Sequence, residues 1–258
     1  MQHIGITHAG KKPNNEDCYG IFPIGENAVL YAVCDGVGGC GGGEIASAIA
    51  RDSFSDFVRQ ECGAWTDETW DTIALAQIKR IMRAAATHAG RAVRAAAQQN
   101  SELDGMASTL VAALVTRRRA YVLHVGDSRL YTVTGETVEK VTRDHSYLQY
   151  LIDIGRITRE QAKDLTIENY ITRAIGAYDH VDGDFCALDR AAYPSDTYLL
   201  LCSDGLYRRV TKPHMQEILT APIPLARKAE ELVSAALQGG AEDNITAIIV
   251  YGGEQTPS

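Results

Sequence analysis

The sequence predicts an α+β protein in which two mainly antiparallel sheets lie face to face, a four-layer α-β-β-α sandwich with a pair of helices on each outer side. Three observations point there. Short β-branched or aromatic runs closed by Gly, Asp or Asn recur at 18–23, 28–34, 108–116, 120–125 and 130–134, and most of their connections are too short for a parallel crossover. Helical patterns fall in two separate blocks rather than alternating with strands. No Pro/Ser-rich or low-complexity stretch divides the 258 residues, so one domain over 1–258 is expected.

Taken in order, Asn15-Glu16-Asp17 stands just before the first strand, and the second, Leu30-Tyr31-Ala32-Val33-Cys34, runs into Asp35-Gly36. Six glycines then lie between Asp35 and Glu44, where they let backbone approach a ligand or ion closely. The stretch lacks the lysine of a nucleotide-binding P-loop and the spacing of GxGxxG, which disfavours nucleotide. A helix over 44–61 carries apolar Ile45, Ile49, Phe54, Phe57 and Val58, and an alanine-rich helix over 69–99 suits it as an antiparallel partner.

Arg117-Arg118-Arg119 reads as a polar turn between two strands, and His124-Val125-Gly126-Asp127 ends the second of them. Later, Leu199-Leu200-Leu201-Cys202-Ser203 repeats the earlier pattern by running into Asp204-Gly205. Lys212-Pro213 precedes a helix to Leu219, Pro224 starts another to about Leu237, and Gly239-Gly240 stops it. Asp243-Asn244 opens a last strand over 245–251.

A net charge of −8 without a basic block argues against nucleic acid as partner. The chain has no run of roughly 18 apolar residues, so a soluble, cytoplasmic protein without a membrane partner is expected. Six cysteines at irregular spacing, with no CxxC pair, suggest buried thiols rather than disulfides or zinc ligands.

One Asp-Gly is ordinarily a turn, but the acids near 17, 35, 127, 204 and 243 all adjoin predicted strand ends. At an effective dielectric near 20, two carboxylates about 5 Å apart repel by roughly 3 kcal/mol. Several converging at neutral pH would take up protons or hold cations, and divalent metal resolves the conflict best.

These motifs carry a resemblance. Lys12-x-x-Asn15-Glu16-Asp17, Asp35-Gly36-x-Gly38-Gly39 with Gly43-Glu44, Gly126-Asp127-Ser128-Arg129, Thr142-x-Asp144-His145-Ser146, Gly155-x-Ile157, Thr172-Arg173-Ala174-x-Gly176, Asp204-Gly205 and Asp243-Asn244-Ile245-Thr246 occur in the order seen in PPM/PP2C-type serine/threonine phosphatases. From about Thr7 to Val250 the chain resembles a compact bacterial member of that family.

The resemblance implies a PP2C-like fold and hydrolysis of phosphoserine and phosphothreonine by direct attack of a metal-bridging water or hydroxide. Asp35 would bridge two Mn²⁺ or Mg²⁺ ions, the Gly36 carbonyl would join one, and Asp204 and Asp243 would bind the other. Glu16 and Asp17 would hold metal-bound waters, and Asp127 with Asp204 would complete a weaker third site. Lys12 stands where an arginine usually meets substrate phosphate, a point charge in place of a bidentate fork. Val37 occupies the place of a histidine found in many relatives, so protonation of the leaving group by metal-bound water is expected, with His145 structural and His180 without a catalytic part. Residues 145–169 resemble the family's flap, departing from its common wording at Lys163-Asp164-Leu165. Implied partners are phosphoproteins and a cognate bacterial Ser/Thr kinase, with the protein itself a monomer.

Two alternatives stay open. Cys202-x-x-Gly205-x-x-Arg208 satisfies the CxxGxxR pattern of cysteine-dependent phosphatases, although Asp204 would place a negative charge inside an anion cradle. A phosphatase-like fold can also serve as a non-catalytic regulatory module.

Overall fold

A computed structural model of the chain describes residues 1–38, 42–164, 170–190 and 196–252, the side chains of 163 and 164 excepted. One sheet runs in the order β1 (Gln2–His8), β11 (Ile245–Tyr251), β10 (Tyr198–Cys202), β7 (Arg129–Val133), β8 (Val138–Lys140). The other runs β2 (Asp17–Ile24), β3 (Ala28–Val37), β5 (Leu110–Val115), β6 (Arg119–Val125), β9 (Asp184–Asp189), with the two-residue β4 (Ala107–Ser108) on β3. Every paired strand is antiparallel.

Period-two alternation sorts the strand residues into layers. On β3, Leu30, Ala32 and Cys34 face α1 (Gly42–Cys62) and α3 (Leu75–Gln99), where Phe54, Val58, Ile78 and Met82 complete an outer core. Leu200, Cys202, Ala247 and Ile249 face α7 (Lys212–Thr220) and α8 (Leu225–Gln238) in a second outer core. Tyr31, Val33, Val111, Val122, Leu201 and Ile248 fill the layer between the sheets. Helix pair, sheet, sheet, helix pair is therefore the architecture, as the strand and helix patterns foretold.

Several local expectations need correcting. The helix expected over 69–99 is two, α2 (Asp67–Thr72) and α3, because Ile73 and Ala74 are both extended. The strand expected over 108–116 breaks at Thr109, whose hydroxyl accepts from the Asp35 N–H at 3.0 Å. The second strand does not stop at Cys34: β3 runs through Asp35 and Gly36 to Val37, since β4 pairs with its end. Strands β1, β8 and β9 are additional to those the sequence patterns predict. Residues 39–41 of the glycine-rich stretch and 165–169 of the expected flap lie outside the described residues; the described part of that flap holds α4 (Tyr147–Asp153) and α5 (Arg159–Asp164).

Candidate active site

The inter-sheet layer ends in polar residues on one side of the molecule. Continuing the inward rows by two residues each, Tyr31 and Val33 lead to Asp35, Ile21 and Tyr19 to Asp17, Leu199 and Leu201 to Ser203, and Val250 and Ile248 to Thr246. Strand alternation thus delivers these four side chains to one edge of a dry layer.

Two glycines let further backbone close over that edge. A Cβ at Gly36 would lie 1.9 Å from the Gly43 carbonyl oxygen at the start of α1, and a Cβ at Gly205 would lie 2.0 Å from the Asn244 carbonyl oxygen. Neither glycine has positive φ. Each Asp-Gly therefore marks a crossing of two backbones rather than a tight turn, and the second crossing sets Asp204 beside Asp243. Asn244 locks the junction: its Oδ1 accepts from the Glu16 N–H at 2.8 Å, and its Nδ2 donates to the Ala9 and Asn14 carbonyls, both at 2.9 Å.

Electrostatics identify the group. Burial and then, in order, Asp17, Asp204, Asp127 and Asp243 push the half-buried Asp35 carboxyl well above the usual carboxylate range. Burial lifts Asp17 to about 7, opposed by hydrogen bonds from Ser203 and Thr246. Ser203 Oγ donates to Asp17 Oδ2 at 2.6 Å, whereas Asp17 Oδ1 is buried with no partner. Burial likewise raises Asp127 to about 6 and raises Asp204.

Five of the predicted acids therefore share one neighbourhood. Exposed Lys12 stands at its rim, Nζ 3.5 Å from Asp243 Oδ1. Glu16, half-buried, is raised by desolvation, and Lys12 works against that shift.

These residues fit divalent cations, because the orphaned Asp17 oxygen and the mutual repulsion around Asp35 both leave negative charge uncompensated. Among the described residues, no three His, Cys, Asp or Glu side chains grip one point by themselves. An ion here would complete its shell with carbonyl and water oxygens, as Mg²⁺ habitually does.

Behind the acids lies a buried brace that sequence patterns did not single out. Arg129 forks onto Asp144, Nε to Oδ1 at 3.0 Å and Nη2 to Oδ2 at 2.6 Å, while its guanidinium lies 3.5 Å from the Tyr207 ring centroid. Tyr207 Oη donates to Asp127 Oδ2 at 3.2 Å. Signals existed in Gly126-Asp127-Ser128-Arg129 and Asp144-His145, but nothing in the spacing tied them to Tyr207.

His145 does not point at the acids: its Nδ1 accepts from the Gly126 N–H at 3.1 Å, and its Nε2 lies 3.2 Å from Asp184 Oδ2. Cys202 is fully buried in the core beneath α7 and α8, and burial drives its thiol far up. Arg208 lies instead on Asp204, 2.8 Å away. The cysteine-phosphatase pattern therefore has its sulfur and its arginine in different surroundings, and the thiolate route is not favoured.

Comparison with known proteins finds matches along nearly the whole chain. The family model described as Protein phosphatase 2C matches residues 4–239. The Serine/threonine phosphatase stp of Listeria monocytogenes is 34% identical over 237 residues, spanning 92% of this chain and 90% of that one. The crystal structure of Serine/threonine phosphatase Stp1 from Staphylococcus aureus superposes with a TM-score of 0.84 at 30% identity, covering 99% of this chain and 95% of that one. The catalytic domain of serine threonine protein phosphatase PstP, solved in complex with 2 manganese ions, matches with a TM-score of 0.76 at 29% identity, each chain covered to 96%.

Proposed function

The chain belongs to the protein phosphatase 2C family, and from that premise we propose that it is a metal-dependent protein-serine/threonine phosphatase acting at the acidic end of its inter-sheet layer. The observation that carries this is Asp35, a carboxylate surrounded by four others at the edge of a dry core. Asp35, Asp204 and Asp243, with the Gly36 carbonyl, are the residues that would hold the ions. Asp17, fixed by Ser203, and Glu16 would orient water. Divalent ions bound there supply a water of lowered pKa and neutralise charge developing on phosphoryl oxygens.

The reaction forms a bond from a water oxygen to phosphorus and breaks the bond to the serine or threonine oxygen. Lys12 supports the reading as an exposed positive charge at the rim, able to meet phosphate. The leaving oxygen would take its proton from water held at the metal site rather than from a side chain, because Val37 follows Asp35-Gly36 and His145 is committed to Gly126 and Asp184.

Mn²⁺ or Mg²⁺ would be the cofactor and a Ser/Thr kinase the opposing activity, in a cytoplasmic, single-domain monomer whose flap includes α4 and α5. Among the described residues no helix is long and apolar enough to cross a membrane.

Turnover of a phosphothreonine peptide tests it. Activity with Mn²⁺ that EDTA abolishes and Mn²⁺ restores, that survives Cys202→Ser and that is lost in Asp204→Asn is the expected pattern. Activity that resists chelation and fails in Cys202→Ser would overturn it, as would a folded, metal-loaded and silent wild type.

A further inference from the structure

We propose that Arg208 is a tethered cation occupying the space between Asp204 and Asp127, so that Asp127 anchors this arginine and is not itself a metal ligand in the resting protein. This rests on the assignment of Asp204 to the metal site. Arg208 Nη2 lies 2.8 Å from Asp204 Oδ2 and 3.8 Å from Asp127 Oδ2. It thus bridges two carboxylates that come from different parts of the chain, one at the start of α6 (Asp204–Tyr207) and one between β6 and β7.

The bridge is built, not incidental. Arg208 follows Asp204 by one helical turn, and its N–H donates to the Asp204 carbonyl at 3.0 Å, so the side chain is held over the acid it pairs with. Tyr207 fixes the other end by donating to the same Asp127 oxygen that Arg208 approaches. Both carboxylates are recessed while the arginine side chain is half exposed, so the guanidinium closes over the pair from the solvent side. An incoming divalent ion that joined Asp204 to Asp127 would meet a positive charge already in place and would have to displace it. Among the described residues, Asp35 and Asp243 form no such pair with an arginine; Asp243 has Lys12, 3.5 Å away.

Counting bound Mn²⁺ by equilibrium dialysis on the chelator-stripped full chain tests this positioning role directly. The wild type is expected to hold two ions. Arg208→Gln should gain a third, at least tenfold tighter than any further binding in the wild type, and the double variant Arg208→Gln/Asp127→Asn should lose it again. Asp127→Asn alone should leave two ions with affinities changed less than threefold, and this arm stands even if Arg208→Gln fails to fold. An unchanged count in folded Arg208→Gln, three ions in the wild type, or loss of an ion in Asp127→Asn would each overturn the inference. A wild type that holds no Mn²⁺ at all would overturn the metal assignment beneath it as well.

Discussion

Asp17 and Asp35 stand directly opposite each other across β2 and β3, register partners at the end of a ladder that begins with Ile24 and Ala28. Two acids placed so, facing a dry layer, tie folding to protonation. The folded carboxyl of Asp17 titrates at about 7 against an ordinary value near 3.9. The folded state therefore holds that proton more tightly, and the metal-free protein loses stability as pH climbs from about 4 through 7. Asp17→Asn should raise the Tm of EDTA-treated protein, by more at pH 8 than at pH 5. Thermal melts at the two pH values check it, and an equal gain at both would contradict the burial of a charged Asp17.

The backbone crossings at Gly36 and Gly205 have no room for a methyl group, because an ideal Cβ would sit only 1.9 Å and 2.0 Å from the nearest carbonyl oxygens. Gly36→Ala and Gly205→Ala should each cost about 3 kcal/mol or more, as overpacking against rigid backbone does. Gly135→Ala, with nothing within 4 Å of its Cβ, should be near neutral. Urea denaturation of the three variants measures the contrast.

Arg129 and Asp144 form the buried brace behind Asp127. Burial pushes the Asp144 carboxyl up, but Arg129 and Lys140 outweigh it and hold it below its ordinary value. A depressed folded pKa gives stability that is present above about pH 4 and lost as pH falls through the folded value. Asp144→Ala, which strands the arginine, should cost about 3–5 kcal/mol at pH 7. That cost should shrink below pH 4, which unfolding titrations at pH 7 and pH 3 would register.

His124 lies in the inter-sheet layer with neither ring nitrogen hydrogen-bonded, its ring 4.7 Å from that of His145. Burial lowers its pKa to about 3, so it is neutral when folded. Below about pH 6.5 the unfolded chain binds the proton instead, and the fold loses stability as pH drops. His124→Leu should stabilise by about 2 kcal/mol more at pH 5 than at pH 8. An equal effect at both pH values would show that the ring titrates normally.

Much of this was legible in the sequence for identifiable reasons. Apolar runs punctuated by Asp-Gly located β3 and β10, and proline and glycine bounded α7 and α8. The same runs placed Asp17, Asp35, Asp204 and Asp243 near one another, because charge at the end of a buried strand has few tolerable explanations. Strand β1 escaped notice since its residues are only partly buried at the sheet edge and lack strong alternation. Ile73-Ala74 fits a helical pattern, and the extended backbone that separates α2 from α3 there left no mark in the sequence. The glycines after Asp35 and Asp204 were visible, but their reason, a second backbone lying across each, exists only in three dimensions. Arg208 was visible too, as part of a phosphate-cradle pattern, and only geometry gives it to Asp204 and Asp127.

Diffraction from Mn²⁺-soaked crystals, recorded at the manganese absorption edge, tests the central claim most directly. Anomalous peaks are predicted among the Asp35, Asp204 and Asp243 carboxylates and the Gly36 carbonyl. Peaks at other side chains, or none in crystals of protein that turns over a phosphothreonine peptide, would contradict it.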